Sequence, residues 1–233
     1  MLLVLPLVAV ATLWGKTRGG HFIYRLCRFW ADGWFLLIGI RQWNIYRGSR
    51  DNRSQCIYIA NHISYLDIPM ILRSIRHPYL RVLGKYEMKK VPVFGFIYRS
   101  AVVMVDRSDP SGRSKSVRQL KSVLNRGISI FIYPEGTFNE THQPLKDFYD
   151  GAFRIAIETQ TPIRPLLFLD TYRRLHYKSI FSLNPGRCRT VFMDEVSVQG
   201  LGPGDVAFLK NKVYKAMEQM LIEYQADWIK PEL

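Results

Sequence analysis

The sequence predicts an α/β domain, a sheet flanked by helices, preceded by an apolar and basic helical segment. Two observations carry the α/β class. From residue 47 onward, short runs rich in β-branched and aromatic residues alternate with stretches of helical periodicity, with no internal repeat or low-complexity segment between them. The 233 residues are 48% hydrophobic and 22% charged, a composition that fills one sizeable core and excludes a disordered chain. A third observation sets the N-terminus apart: residues 1–50 hold seven Lys and Arg against one Asp, beside the most apolar part of the chain. The expected division is 1–46, N-terminal membrane-associated helices, and 47–233, the α/β domain.

Taken in order, residues 1–15 are almost wholly apolar but too few for the ~20 residues a helix needs to cross a bilayer. Lys16 and Arg18 follow this run rather than precede it, which argues against a signal peptide and for a cytoplasmic position of what comes next. Re-entrant, spanning and interfacial arrangements all stay open. Residues 22–40 read as an amphipathic helix, with Ile23, Leu26, Cys27, Trp30, Trp34 and Leu37 on one face and Arg25, Arg28 and Asp32 opposite. Tryptophans and basic residues beside apolar helices suit the surface of an anionic membrane. The location this implies is membrane-associated, on the cytoplasmic face of the inner or plasma membrane.

Beyond the polar turn 47–55, strands are expected at 56–60, 80–83, 101–105, 128–133, 163–168 and 189–193. Helices are expected at 65–74, at 114–126 with Gly127 as the stop, at 151–159 and at 204–228.

Thirty-three Lys and Arg against nineteen Asp and Glu give a net charge of +14, so an anionic surface or substrate is an expected partner. No helix-turn-helix, zinc-finger or RNA-binding motif accompanies the basic stretch Arg173, Arg174, His176, Tyr177 and Lys178. That stretch reads as a solvated loop or membrane-facing rim, and nucleic acid is not expected. Cys27, Cys56 and Cys188 offer no CxxC pair, and the five histidines are scattered, so no disulfide framework and no metal is expected.

Two strand ends carry the polar groups. The run 57–60 leads straight into Asn61 and His62, with Asp67 five residues beyond His62. A histidine can act as general base near neutral pH, and a carboxylate in the following turn can hold its ring in one tautomer. This dyad has no nucleophile of its own, and it suits a hydroxyl arriving on the substrate. Ser64 lacks the G-x-S-x-G elbow of a hydrolase nucleophile. The second strand end, Tyr133-Pro134-Glu135-Gly136-Thr137, places a ladder-ending proline, a permissive glycine, and an acceptor and a hydroxyl for a polyol substrate in one turn.

Together these residues resemble the glycerophospholipid acyltransferase family. Asn61 to Asp67 is similar to its NHxxxxD motif, and Tyr133 to Thr137 to its (F/Y)PEGT block. Gly84, Lys85, Pro92, Gly95, Asp106 and Arg107 resemble its second block, and Pro162 to Leu166 its final proline-containing strand. The resemblance implies a mixed sheet flanked by helices, as in glycerol-3-phosphate acyltransferases, and direct acyl transfer from acyl-CoA or acyl carrier protein to a lysophospholipid hydroxyl. No cofactor beyond that thioester co-substrate is implied. His62 and Asp67 would be catalytic, while Asn61, Lys85, Arg107, Glu135, Gly136 and Thr137 would contact substrate. One position departs from the pattern: the arginine that commonly follows the EGT of the third block, and which binds phosphate in the family, is Phe138 here. Anion binding is then expected at Lys85, Arg107 or Arg154, or the acceptor carries no phosphomonoester.

Overall fold

The computed structural model describes residues 5–48, 50, 54–76, 80–91, 94–105 and 110–229. Strands β1 (Ile40–Tyr46), β2 (Ile57–Ala60), β3 (Leu80–Lys85), β4 (Val102–Val105), β5 (Ser129–Ile132), β6 (Ile163–Phe168) and β7 (Gly186–Phe192) form one sheet in the spatial order β1-β7-β6-β2-β5-β3-β4. Every pairing is parallel except that of β6 with β7, so the sheet is mixed. The helices are α1 (Leu5–Thr12), α2 (Gly15–Leu37), α3 (Asp67–Ser74), α4 (Phe94–Ala101), α5 (Pro110–Leu124), α6 (Gly151–Thr159), α7 (Thr171–Arg174) and α8 (Val206–Glu223).

Period-two alternation along β2 explains the layers. Ile57 and Ile59 face a core shared with α5, α6 and α8, where Leu120, Phe153, Leu209, Val213 and Met217 are buried. Tyr58 and Ala60 face the opposite core, shared with α2 and α3 through Tyr24, Phe35, Met70 and Ile71. Because β2 is covered on both faces, all four of its residues are buried and apolar or aromatic, as central parallel strands require. Strands β2, β3, β4, β5 and β6 run the same way, so their C-terminal ends share one edge. The His62 turn and the Glu135 turn both open there, on adjacent strands.

Three expectations are corrected. First, the segment Ile40–Tyr46, expected to close an N-terminal helical region, is strand β1, paired in parallel with β7 over seven residues. Its alternation is hidden because polar residues point inward: Gln42 Nε2 donates to Asn44 Oδ1 at 3.0 Å and reaches Ser74 Oγ and Thr190 Oγ1. Second, the expected faces of the second helix are redistributed. Ile23 is buried and Leu26, Cys27 and Trp34 pack partly buried as expected, but the packed face also carries Tyr24, Ala31 and Phe35, whereas Leu37 is exposed. Arg28 and Asp32 are partnered at the surface: Arg28 Nη1 donates to Arg76 O, and Asp32 pairs with Arg73 at 3.1 Å and Arg76 at 2.8 Å. The partners that make this polar face structural lie more than forty residues away, beyond the reach of periodicity. Third, the last helix ends at Glu223, and Trp228 folds back into the core with Nε1 donating to Gln143 O at 3.1 Å. Among the described residues, no helix is long and apolar enough to cross a membrane.

Candidate active site

The chain leaves β2 at Ala60 and turns within six residues into α3, which Asp67 begins. That turn is closed by Asp67 itself. Its Oδ2 accepts the backbone N–H of Ile63 at 2.7 Å and of Ser64 at 2.9 Å, and sits 2.9 Å from His62 Nδ1. Asp67 is fully buried, and an ionised carboxylate only accepts. Nδ1 therefore carries the proton in this contact, and the lone pair is left on Nε2. The imidazole is mostly covered, its side chain 15% exposed.

Aromatic rings fix the other degrees of freedom. Tyr133 stacks on His62 with centroids 3.9 Å apart and an interplanar angle of 13°, and Phe138 lies tilted against it at 4.4 Å. Tyr65 meets Phe138 edge-on at 4.9 Å, and Tyr177 stands 6.2 Å beyond it. Burial, reinforced by the negative charge of Asp67, raises the Tyr133 phenol well above its ordinary value and keeps it neutral. Its hydroxyl and Asp67 Oδ1 are both buried without a hydrogen-bond partner among the described residues.

The second turn grips the backbone of the first. Glu135 Oε1 accepts His62 N–H at 2.8 Å, while Oε2 accepts Lys146 N–H at 3.0 Å. In return, Asn139 N–H donates to His62 O at 2.7 Å. Burial pushes the Glu135 carboxyl up to about 8, opposed by its two backbone N–H donors. Gly136 has φ of +75°, a left-handed conformation that glycine supplies without strain.

The structure sorts the residues nominated from sequence. His62, Asp67, Glu135, Gly136 and Thr137 lie in two adjoining strand-end turns. Asn61 and Glu135, expected to contact substrate, are buried with partners inside the protein. Asn61 is buried and clamps β2 to β6, donating to Phe168 O at 3.0 Å and accepting from Phe168 N–H at 2.9 Å; the Glu135 carboxylate is spent on backbone N–H groups. Thr137 is exposed and accepts from Lys146 Nζ at 3.0 Å. Lys85 ends β3 on the same sheet edge as His62. Arg107 lies outside the described residues. Arg154 is not at this site: it lines a groove with Asp150, Glu158 and Pro203, between α6 and the start of α8. The Ser64 hydroxyl is buried and donates to Leu175 O, which removes it as a nucleophile. Sequence reasoning missed Lys146 and read Tyr177 only as part of a solvated loop or membrane-facing rim; Tyr65 carried a signal through its place inside the motif. Among the described residues no cluster of His, Cys, Asp or Glu could hold a metal ion.

Comparison with known proteins agrees with this geometry. The family model described as Acyltransferase matches residues 43–169, more than half of the chain. An uncharacterized acyltransferase of Schizosaccharomyces pombe is 31% identical over 72% of this chain and 60% of its own length. A 1-acyl-sn-glycerol-3-phosphate acyltransferase of Cocos nucifera is 34% identical over 54% of this chain and 41% of its own. The chain thus matches only 60% or less of the length of these two relatives. The crystal structure of the 1-acyl-sn-glycerophosphate acyltransferase PlsC from Thermotoga maritima shares the fold, with a TM-score of 0.71 and 21% identity over 93% of this chain and 85% of that one. The His62–Asp67 dyad, the strand-end turns that hold it and the match over residues 43–169 lead to one assignment: the chain belongs to the Acyltransferase family.

Proposed function

We infer that the protein transfers a fatty acyl group from a thioester, acyl-CoA or acyl carrier protein, to a hydroxyl of a lysophospholipid, with 1-acylglycerol-3-phosphate giving phosphatidic acid as the leading acceptor. The observation that carries this reading is the His62–Asp67 contact at 2.9 Å, which leaves Nε2 as the base at the strand ends, with Ser64 tied away. The acceptor hydroxyl gives its proton to His62 Nε2 as its oxygen attacks the thioester carbonyl. The C–O bond forms, the tetrahedral intermediate expels the thiolate, and the imidazolium returns the proton to sulfur. Asp67 stabilises the transient imidazolium, and no acyl-enzyme is formed. The names of the coconut and Thermotoga relatives support the acceptor class. Lys85, and Arg107 by its place in the second block, are the groups for the acceptor's phosphate.

Phe138 favours a second acceptor class. Its ring, 4.4 Å from His62, occupies the rim where the family commonly has a guanidinium, which suits a lysolipid without a phosphomonoester.

The membrane reading draws on exposed apolar residues. Leu13, Trp14, Phe29, Leu36 and Leu37 are exposed on or beside α1 and α2, and Ile180 and Phe181 are exposed on a loop whose end, Pro185 and Gly186, touches Gly39 just past α2. These exposed apolar residues, with the basic N-terminal segment, suit association with an anionic bilayer.

The test is free-thiol release from palmitoyl-CoA and from acyl carrier protein thioester, with lysophosphatidic acid or an uncharged lysolipid as acceptor. Acceptor-dependent release is expected. Release without acceptor would make the protein a thioesterase, and no release from either donor would end the transferase reading.

A further inference from the structure

We propose that a second groove, at the opposite edge of the sheet from His62, binds the phosphate of an anionic membrane phospholipid. The groove has a volume of about 390 Å³ and lies between the N-terminal end of α2 and the start of the edge strand β4, with α5 as its far wall. Arg81, Arg99 and Arg126 line it, together with Gly15, Thr17 and Ser122, and among the described residues no Asp or Glu lines it. Three arginines lining one concavity, with no carboxylate among the described lining residues, make a cationic surface suited to phosphate oxygens.

The site is built rather than incidental. Arg81 is only 6% exposed, on the second residue of β3, with Nη1 donating to Leu80 O at 2.8 Å and Nη2 reaching Thr17 O at 3.5 Å. Room for this guanidinium comes from Gly20: a Cβ there would stand 2.2 Å from Arg81 Nη2. Burial works against the charge of Arg81, and an anion in the groove offsets that cost.

The position selects a lipid. Trp14 and Leu13, 53% and 83% exposed, immediately precede Gly15 at the groove's mouth. Tryptophan settles at the headgroup level of a bilayer, and Gly15 and Thr17 follow it within one helical turn of about 5.4 Å. With the N-terminal helices docked as proposed above, on which this inference rests, the three arginines lie at the depth of lipid phosphates.

The experiment is co-sedimentation of the whole protein with vesicles of phosphatidylcholine alone and of phosphatidylcholine with phosphatidylglycerol. Wild type is compared with Arg99→Gln/Arg126→Gln, with Lys212→Gln/Lys215→Gln as an equal charge loss on α8, and with Ser122→Phe, which fills the groove at constant charge. Phosphatidylglycerol should strengthen wild-type binding. The double arginine variant should lose about 10–30-fold on the anionic vesicles, near the worth of two basic residues at a membrane surface. Ser122→Phe should lose several-fold, the lysine variant far less, and thiol release with a water-soluble short-chain donor should be unchanged in all of them. Equal losses for the arginine and lysine variants, with wild type still bound, would overturn the groove and leave the membrane reading intact. Wild type indifferent to both vesicles would overturn both. Inorganic phosphate that raises the melting temperature of wild type but not of Arg99→Gln/Arg126→Gln, without any vesicle difference, would reassign the groove to a free anion and overturn the lipid.

Discussion

Two buried carboxylates hold His62, and they hold different parts of it. Asp67 reaches the ring, taking Nδ1 and two N–H groups of its own turn through a single oxygen. Glu135 reaches the backbone, taking His62 N–H with one oxygen and Lys146 N–H with the other. The first therefore governs which nitrogen is basic, and the second governs where the whole residue stands. Asp67 acts on the ring, whereas Glu135 joins the β2 and β5 turns. Acidic residues in the first and third motif blocks, brought together by the pairing of β2 with β5, thus divide the hold on one histidine between electronics and position.

The largest expected effect tests the ring side. His62→Ala should lower kcat about 10²–10⁴-fold, the usual worth of a positioned general base. Asp67→Ala should fall in the same range, since the tautomer is no longer held; wild-type turnover by either variant in the thiol-release assay would break the dyad assignment. Glu135→Gln keeps one acceptor and the shape of the turn, so its kcat should fall by no more than about 10-fold, the smaller cost of imperfect positioning. A loss for Glu135→Gln as deep as that for Asp67→Ala would erase the distinction between the two carboxylates.

Stability against pH sharpens the comparison further. The ordinary value for Glu135 is 4.5 and the folded value about 8. Between those pH values the folded protein keeps a proton that the unfolded chain releases. This contribution is whole below about 4.5 and declines as pH rises through about 8. Denaturant midpoints measured from pH 5 to 8.5 should therefore slope downward in wild type and flatten in Glu135→Gln; an unchanged slope would place the titration elsewhere.

Smaller still, Asn61→Ala should cost about 1–3 kcal/mol, because the buried N–H and C=O of Phe168 lose their partner. Its kcat should recover where the protein remains folded. Ser64→Ala should change turnover least, within about 3-fold, and any trapped acyl-Ser64 would reopen the hydrolase reading.

Several features were legible because they are local. The strand 163–168 and the helix 151–159 match the observed β6 and α6 residue for residue, being short apolar runs bounded by turn residues. His62 and Asp67 are five residues apart, so their contact follows from a single strand-to-helix turn. Strand β1 was not legible, since its inward side chains are polar and satisfied by Ser74 and Thr190. The polar side of α2 misled for the same reason: Asp32 finds Arg73 and Arg76 only after α3 has docked. Arg154 looked available as an anion ligand until α6 turned it toward α8.

By itself the sequence determined the chemistry-bearing types and their placement at strand ends, because hydrophobic runs and the residues that stop them are short-range properties. The tertiary structure decided what each of them touches. Glu135 lies 73 residues from His62, and Asn61 lies 107 from Phe168. Contacts at such separations exist only once parallel strands are ordered in the sheet. That order is set by how both faces are buried as a whole, and no stretch of the chain encodes it alone.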